Sequence, residues 1–116
     1  MTEKAPDILI AAADLIQARA EQRDHPDGER SIPRAVNMFN DLTQHQLSHR
    51  EGWILMALLK LSRAQGGRFV LDDYIDACAY IALAGEAEGD AQAEYRKMHV
   101  LFNSEDRESL AAAGRS

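Results

Sequence analysis

The hydrophobic positions of the chain recur three or four residues apart, which is the spacing of amphipathic helices. Prolines, glycines and capping residues separate these periodic stretches, and the pattern predicts four to five helices. The predicted helices cover about residues 6–23, 31–45, 48–65, 71–86 and 91–102, and Gly89 is predicted to break or kink the chain between the last two. The sequence therefore predicts an all-α fold in the form of an antiparallel helical bundle.

The best-defined helix start lies at Ser48. Ser48 and Glu51 have the spacing of a capping box, in which the serine caps the helix and the glutamate bonds back to the serine backbone N–H. The same helix is expected to end at Gly66 and Gly67, which favour the left-handed conformation of a C-terminal cap. Asp72 falls in the first turn of the next helix, where a carboxylate complements the helix dipole.

The last predicted helix carries an apolar stripe of its own. Tyr95, Met98 and Phe102 share one face, and this stripe is suited to packing on a partner subunit. The chain then becomes polar and ends in small residues. We therefore predict one helical domain over residues 1–103 and a flexible tail over residues 104–116.

Composition narrows the classes of protein. The chain has 116 residues, of which 46% are hydrophobic and only 6% aromatic, and this favours one helical domain over a β-sandwich. Nineteen acids against 13 Lys and Arg give a net charge of -6, which attracts neither nucleic acid nor an anionic membrane. With one cysteine, Cys78, and no apolar run of membrane length, the chain is expected to be soluble and cytoplasmic. The four histidines lack the spacing of a zinc site.

Two carboxylates on one predicted helix are candidates for a metal site. Asp73 and Asp76 are three residues apart and lie on neighbouring parts of one helix face, together with Tyr80. Like charges at that distance repel unless solvent or a cation lies between them, and oxygen ligands favour Mg²⁺ or Mn²⁺ over zinc. The alternative is a helix start that carries acids only for the dipole, which explains Asp73 better than Asp76.

The preceding helix carries charge within an apolar run. Lys60 lies among leucines and Arg63 is one turn further on; the lysine either extends to solvent from the edge of the apolar stripe or holds an anion in a cleft. Glu51 is either only a capping residue or, if Asp73 and Asp76 face it, also a metal ligand.

Further candidates lie around the second helix. Arg30 and Arg34 flank its start, where guanidinium groups and backbone N–H groups bind phosphate, although solvated surface arginines are the simpler interpretation. Trp53 is either a core residue or a surface on which a base stacks.

A short acidic motif opens the fourth predicted helix and reads Asp72-Asp73-Tyr74-Ile75-Asp76. This motif resembles the EExxD helix of the all-α nucleotide pyrophosphohydrolases, the MazG-like and dimeric dUTPase group, in which ExxE on one helix and ExxD on the next bind Mg²⁺ around a nucleoside triphosphate. About residues 30–86 also look like small phage-encoded and prophage-encoded proteins placed near this group, through the stretches ERSIPRAV-MFN, EGW--M-LLKLSRA and DDYIDACAYIALAGE.

The match to the group is partial. Asp73 and Asp76 match the second motif, with aspartate in place of its glutamate. Only Glu51 stands for the first motif, because Ile54 occupies the position of its second acid. One expected metal ligand is therefore absent. Either Lys60 and Arg63 offset this by binding phosphate directly, or the site is degenerate and non-catalytic.

The resemblance implies a pyrophosphohydrolase that converts a nucleoside triphosphate to the monophosphate and pyrophosphate. Mg²⁺ or Mn²⁺ held by Glu51, Asp73 and Asp76 would orient or activate the attacking water. Contacts to the phosphates are implied for Lys60, Arg63, Arg30 and Arg34. Contacts to the base are implied for Asn40 and Trp53. The group also implies a homodimer or homotetramer, and a phage setting suggests control of the dNTP pool, including removal of one purine dNTP.

The competing hypothesis is a non-catalytic helical accessory or regulatory protein of a phage, which dimerises and binds a protein or a nucleotide without turnover. The missing acid at Ile54 favours it. A nucleic-acid binder is disfavoured, because neither the net charge nor any basic run supports one.

Overall fold

Four helices make up the described part of the chain. The computed structural model describes residues 3–23 and 30–114, and it describes side chains within residues 3–22 and 30–102. No strand occurs among the described residues, so the all-α prediction is confirmed. The helices are α1 (Ala5–Arg23), α2 (Ser31–Thr43), α3 (His49–Gln65) and α4 (Leu71–Gly114).

The predicted break at Gly89 is wrong, because α4 runs without interruption for 44 residues. An interior glycine costs a helix only about 1 kcal/mol relative to alanine, and it removes no hydrogen bond as a proline would. The predicted fourth and fifth helices are therefore one. The flexible tail at residues 104–116 stays a prediction; its backbone is helical as far as Gly114, and residues 115 and 116 lie outside the described part.

The ends of α3 follow the local sequence signals. The Glu51 backbone N–H donates to Ser48 Oγ at 3.0 Å, and the Ser48 backbone N–H donates to Glu51 Oε1 at 2.9 Å, so the predicted capping box is confirmed. At the other end, Gly67 has a φ of +95°, which strains any residue with a side chain. Gly66 has a φ of -105° and is not left-handed, so only one of the two glycines has the expected conformation.

α3 and α4 form an antiparallel hairpin that carries the core. Its centre is the stacking of Trp53 of α3 on Tyr80 of α4, with ring centroids 5.8 Å apart. Ala57, Leu83 and Ala84 complete the buried cluster. α1 packs on α4 and α2 on α3, and each contributes one isoleucine at the edge of this cluster, Ile16 and Ile32 respectively. Trp53 is therefore a core residue, which is one of the two interpretations that its position in the sequence allowed.

α4 sets the shape of the molecule. A helix of 44 residues is about 66 Å long, and the longest dimension of the chain is 76 Å against 34 and 26 Å for the other two. Arg50, at the start of α3, lies 3.5 Å from Glu88, which marks the level where the hairpin ends. The rest of α4 extends beyond α3. None of the described helices combines the length and the apolar character needed to cross a bilayer.

The packing of α2 on α3 requires a glycine. A β-carbon placed on Gly52 would overlap Val36 Cγ2 and would lie 3.0 Å from Ile32 Cγ2. Both are branched side chains held on a helix, so they have little room to move. Gly52 therefore allows the close approach of the two helices.

We expect Gly52→Ala to lower the free energy of unfolding by about 1–3 kcal/mol, because the added methyl forces α2 away from α3. Gly89→Ala is the matched control, since nothing lies within 4 Å of a β-carbon at that position. The control should raise the free energy of unfolding by about 0.5–1 kcal/mol through helix propensity alone. Urea unfolding followed by circular dichroism measures both, and equal stabilities would contradict the close packing described above.

Candidate functional site

The three acids predicted to hold a metal do not converge within one chain. Glu51 lies in the first turn of α3, next to the level of Glu88, whereas Asp76 lies beside Lys60, with Lys60 Nζ 2.9 Å from its Oδ2. Twelve residues of helix separate Glu88 from Asp76, which corresponds to about 18 Å along the axis. The antiparallel hairpin thus places Glu51 far from Asp73 and Asp76. In the described part of the chain, no three His, Cys, Asp or Glu side chains are grouped closely enough to hold a metal ion.

Glu51 is used by the helix cap. Its side chain is exposed and accepts the hydrogen bond from the Ser48 backbone N–H. This bond, together with the Ser48 side chain, holds the pKa of the Glu51 carboxyl below its ordinary value. Both observations agree with the capping interpretation of Glu51.

Asp76 and Lys60 belong to a polar cluster that joins three helices. Asp76 pairs with Lys60 and, at 3.9 Å, with Arg19 of α1, and only 13% of its side chain is exposed against 18% for Lys60. Arg19 also donates to the Tyr80 hydroxyl at 3.3 Å and lies over the Tyr80 ring. Two cations therefore share one carboxylate beside the core. Lys60 and Asp76 are candidates from the sequence, whereas Arg19 is not, because nothing in the spacing of α1 indicates which helix this arginine meets.

Three other residues predicted for the site, Asn40, Arg63 and Asp73, lie outside the polar cluster of Asp76 in the described part of the chain. Asn40 uses both ends of its amide on the Leu47 backbone, donating to the carbonyl at 2.8 Å and accepting from the N–H at 2.9 Å, and so holds the loop between α2 and α3. Arg63 is exposed in the last turn of α3, and Asp73 is half-buried in the first turn of α4. Asn40 therefore lies near the start of α3, whereas Arg63 and Asp73 lie near the turn between α3 and α4.

Charged side chains of both signs line a cleft of about 560 Å³, which we call the α2–α4 cleft. One wall carries Arg34 of α2, Arg30 at the N-terminal boundary of α2, and His49 of α3. The opposite wall is one face of α4, which carries three acids four residues apart. The floor is apolar. The acids are Glu86, Asp90 and Glu94, and the floor includes Trp53, Leu83 and Ala87.

The charges of this cleft are arranged by the helices. α2 begins at Ser31 and α3 at His49, so the positive ends of two helix dipoles lie on the wall that carries the arginines. His49 is fixed there by its Nε2, which is 2.9 Å from Asn37 Oδ1. Residues four apart on a helix are neighbours about 5–6 Å apart, so the acids of α4 form a ladder on the facing wall.

The arginines of this cleft are candidates from the sequence, but its acids are not. The four-residue spacing of Glu86, Asp90 and Glu94 is that of one helix face. The predicted break at Gly89, however, placed Glu86 on one helix and Asp90 and Glu94 beyond its end. A larger pocket of about 620 Å³ lies near the start of α1 and is almost entirely apolar, with Leu9, Phe69 and Tyr74 in its lining. It lacks the charged residues of both signs that line the α2–α4 cleft, so that cleft is the better candidate for binding a charged ligand.

The fold and the cleft define a small all-α protein with a charged cleft between helices. A family model described as "Domain of unknown function (DUF6378)" matches residues 7–88, and the chain belongs to this family. The matched region covers α2 and α3, most of α1 and the part of α4 that pairs with α3. No curated protein matches the chain. No solved structure matches it either.

Asp76→Asn should lower the free energy of unfolding by about 1–3 kcal/mol, because it leaves two cations beside the core without their shared anion. Asp72→Asn removes the same charge from an exposed position one turn earlier and should cost about 0.5 kcal/mol at most. Urea unfolding at neutral pH compares the two variants. Similar losses in both would mean that the ion pairs of Asp76 do not consolidate the fold.

Glu51→Gln tests the capping role through pH. The folded-state pKa of Glu51 lies below its ordinary value of 4.5, so its stabilising effect is complete above that value and is lost as the pH falls through the folded pKa. Glutamine keeps the hydrogen bond to Ser48 but does not titrate. We expect the free energy of unfolding to fall less steeply below about pH 4.5 in the variant than in the wild type. Parallel pH profiles would contradict this.

Proposed function

We propose that this chain is a Mg²⁺-dependent or Mn²⁺-dependent nucleoside triphosphate pyrophosphohydrolase, and that the α2–α4 cleft is its site. The observation that carries the proposal is the facing of two arginines and a histidine against three carboxylates across a space of about 560 Å³. A metal–triphosphate complex needs both signs of charge at once, since the phosphates bind cations and the metal binds anions.

The cleft has the size and lining that such a ligand requires. Small-molecule sites in proteins commonly enclose roughly 300–1,000 Å³, and the α2–α4 cleft, at about 560 Å³, falls within this range. Its charged walls suit the triphosphate, and its apolar floor of Trp53, Leu83 and Ala87 suits the base or the sugar. Only 3% of Trp53 is exposed, so this residue offers an edge to the ligand and not a stacking surface.

The metal does not require a cage made by the protein alone. Mg²⁺ keeps several waters and is commonly held by one or two carboxylates together with the phosphates of the substrate. Two neighbouring acids of the ladder, such as Asp90 with Glu86 or Glu94, supply that number. The absence of a three-ligand group from the described residues is therefore compatible with a metal that arrives with the nucleotide.

The chemistry follows from this arrangement. When bound, the metal would lower the charge on the phosphates and orient a water for attack at the α-phosphorus. The water oxygen would form a new bond to the α-phosphorus and release a proton to solvent, while the bond between the α-phosphorus and the bridging oxygen breaks and pyrophosphate leaves with its electron pair. Arg30 and Arg34 would stabilise the charge that develops on the phosphate oxygens. The products are a nucleoside monophosphate and pyrophosphate.

This proposal keeps the activity implied by the resemblance to MazG-like enzymes and revises the residues. The phosphate contacts Arg30 and Arg34 carry over, because both line the cleft. The metal is assigned to the acids of α4 in the cleft, since Glu51 caps α3 and Asp76 is paired with Lys60. A preference for a purine dNTP and a role in a phage dNTP pool rest on the resemblance alone.

A second candidate function is a non-catalytic accessory or regulatory module that dimerises and binds a nucleotide or a protein. The specific observation that favours it is the lack of a preformed three-ligand metal group in the described part of the chain. In that case the arginine wall would bind phosphate and no water would be activated.

Pyrophosphate release from a panel of NTPs and dNTPs, with Mg²⁺ or Mn²⁺, tests the proposal. Asp90→Asn should reduce turnover by about 100-fold or more, because it removes a charge that holds the metal. The matched control is Glu88→Gln, which removes an acid two residues away that pairs with Arg50 outside the cleft and should leave turnover nearly unchanged.

Two further outcomes separate the alternatives. Loss of turnover in Asp73→Asn, with Asp90→Asn fully active, would return the metal to the start of α4 and overturn the site proposed here. Binding of a nucleotide to the wild type without pyrophosphate release from any member of the panel would favour the accessory module.

A further inference from the structure

A second pocket opens near the starts of α1 and α4, and we call it the α1–α4 pocket. Its volume of about 620 Å³ falls within the roughly 300–1,000 Å³ of small-molecule sites. Its apolar lining comes from both helices and includes Ile8 and Leu9 of α1 and Leu71 and Cys78 of α4. Because α1 packs on α4, one copy of the chain forms this pocket by itself.

Two aromatic rings add to the lining. Phe69, just before α4, stacks on Tyr74 with the ring centroids 5.8 Å apart, and both residues line the pocket. Phe69 is 72% exposed and Tyr74 is 38% exposed, so a ligand has access to both. The face of an aromatic ring carries partial negative charge, and rings in a pocket therefore attract alkylated ammonium groups.

The charge around the pocket favours the same kind of ligand. Glu3 is the one charged side chain among the described residues of the lining. The segments 3–9 and 68–74 contain four acids against two basic residues. Three of these acids, Asp7, Asp72 and Asp73, lie in the first turns of α1 and α4, where they offset the positive ends of the helix dipoles. The surroundings of the pocket are therefore negative and disfavour an anion.

We propose that the α1–α4 pocket binds a small cationic amphiphile, which is a molecule with an apolar body and one alkylated ammonium group. The apolar body leaves water to contact Ile8, Leu9 and Leu71. The carboxylate of Glu3 and the two aromatic rings attract the ammonium group. The pocket shares no lining residue with the α2–α4 cleft, so this inference does not depend on the proposed function.

Two other occupants fit the charge less well. A fatty acid would bring its carboxylate to a pocket whose charged lining residue is Glu3. A second copy related by a two-fold axis through the pocket would bring together two segments with the same excess of acids, and like charges oppose association. A cationic amphiphile instead offsets this excess.

Cys78 makes occupancy measurable, because it lines the pocket and is the only cysteine of the chain. Mass spectrometry of the full chain follows the reaction of its thiol with the neutral reagent N-ethylmaleimide. Decyltrimethylammonium should slow this reaction by about 10-fold at roughly ten times its dissociation constant. Decanol, with the same chain length and no charge, should bind about 3-fold to 10-fold more weakly. Decanoate should bind more weakly still. Circular dichroism and the micelle concentration set the highest amount of each compound used.

A pair of neighbouring residues on α1 supplies the variant and its matched control. Leu9→Gln should weaken binding of decyltrimethylammonium by about 10-fold, because it places an amide in the apolar lining. Ile10→Gln should bind like the wild type, since Ile10 is as exposed as Leu9, 60% against 61%, but does not line the pocket. Glu3→Gln should reduce the preference for decyltrimethylammonium over decanol by about 2-fold to 5-fold and leave the affinity for decanol unchanged.

Four results would overturn the proposal. They are equal protection of Cys78 by decanoate and decyltrimethylammonium, no protection by any of the three compounds, and equal binding by the Leu9→Gln and Ile10→Gln variants. The fourth is protection of Cys78 that rises with protein concentration alone, which would assign the pocket to a second copy. None of these results involves pyrophosphate release, so the proposed function stands or fails separately.

Discussion

The stacking of Trp53 on Tyr80 is the contact on which the rest of the structure depends. These two rings join α3 to α4 at the centre of the only large buried cluster among the described residues, and α1 and α2 both reach its edge. The Tyr80 hydroxyl also accepts a hydrogen bond from Arg19. Because Arg19 pairs with Asp76, the polar cluster around Asp76 is joined to the same pair of rings. No large side chain is fully buried among the described residues, so the fold relies on this one hairpin, to which α1 and α2 are added separately.

Charges in this chain have two different roles, and burial separates them. Asp76 and Lys60 are mostly buried beside the core, so their pairing is part of how the helices are held together. Arg30, Arg34 and the acids Glu86, Asp90 and Glu94 are instead exposed, and all five line the α2–α4 cleft. A residue that is charged within an apolar run is therefore not by itself a sign of chemistry. The charged residues of the proposed site lie beside the N-terminal ends of α2 and α3 and along one face of α4.

α4 links the fold and the cleft. Its first third pairs with α3 and completes the core, and its middle carries the acid ladder. The DUF6378 family match covers the hairpin and ends at residue 88, so it includes Glu86 but neither Asp90 nor Glu94.

The sequence by itself determined the features that depend on neighbours along the chain. The capping box at Ser48, the end of α3 before Gly67 and the all-α class follow from hydrogen bonds and backbone preferences within a few residues, and all are found in the structure. The break at Gly89 failed as a local prediction, because the small helix cost of a glycine does not end a helix whose two flanking segments are both good helix formers. Which charges meet was decided only by the tertiary structure. The antiparallel register of α3 and α4 brings Lys60 to Asp76 and carries Glu51 to the far end of the hairpin, and the packing of α1 adds Arg19. Helix periodicity gives the face on which a residue lies, but the partner across that face depends on the length of the connecting turn and on how the helices slide against each other, which no local pattern specifies.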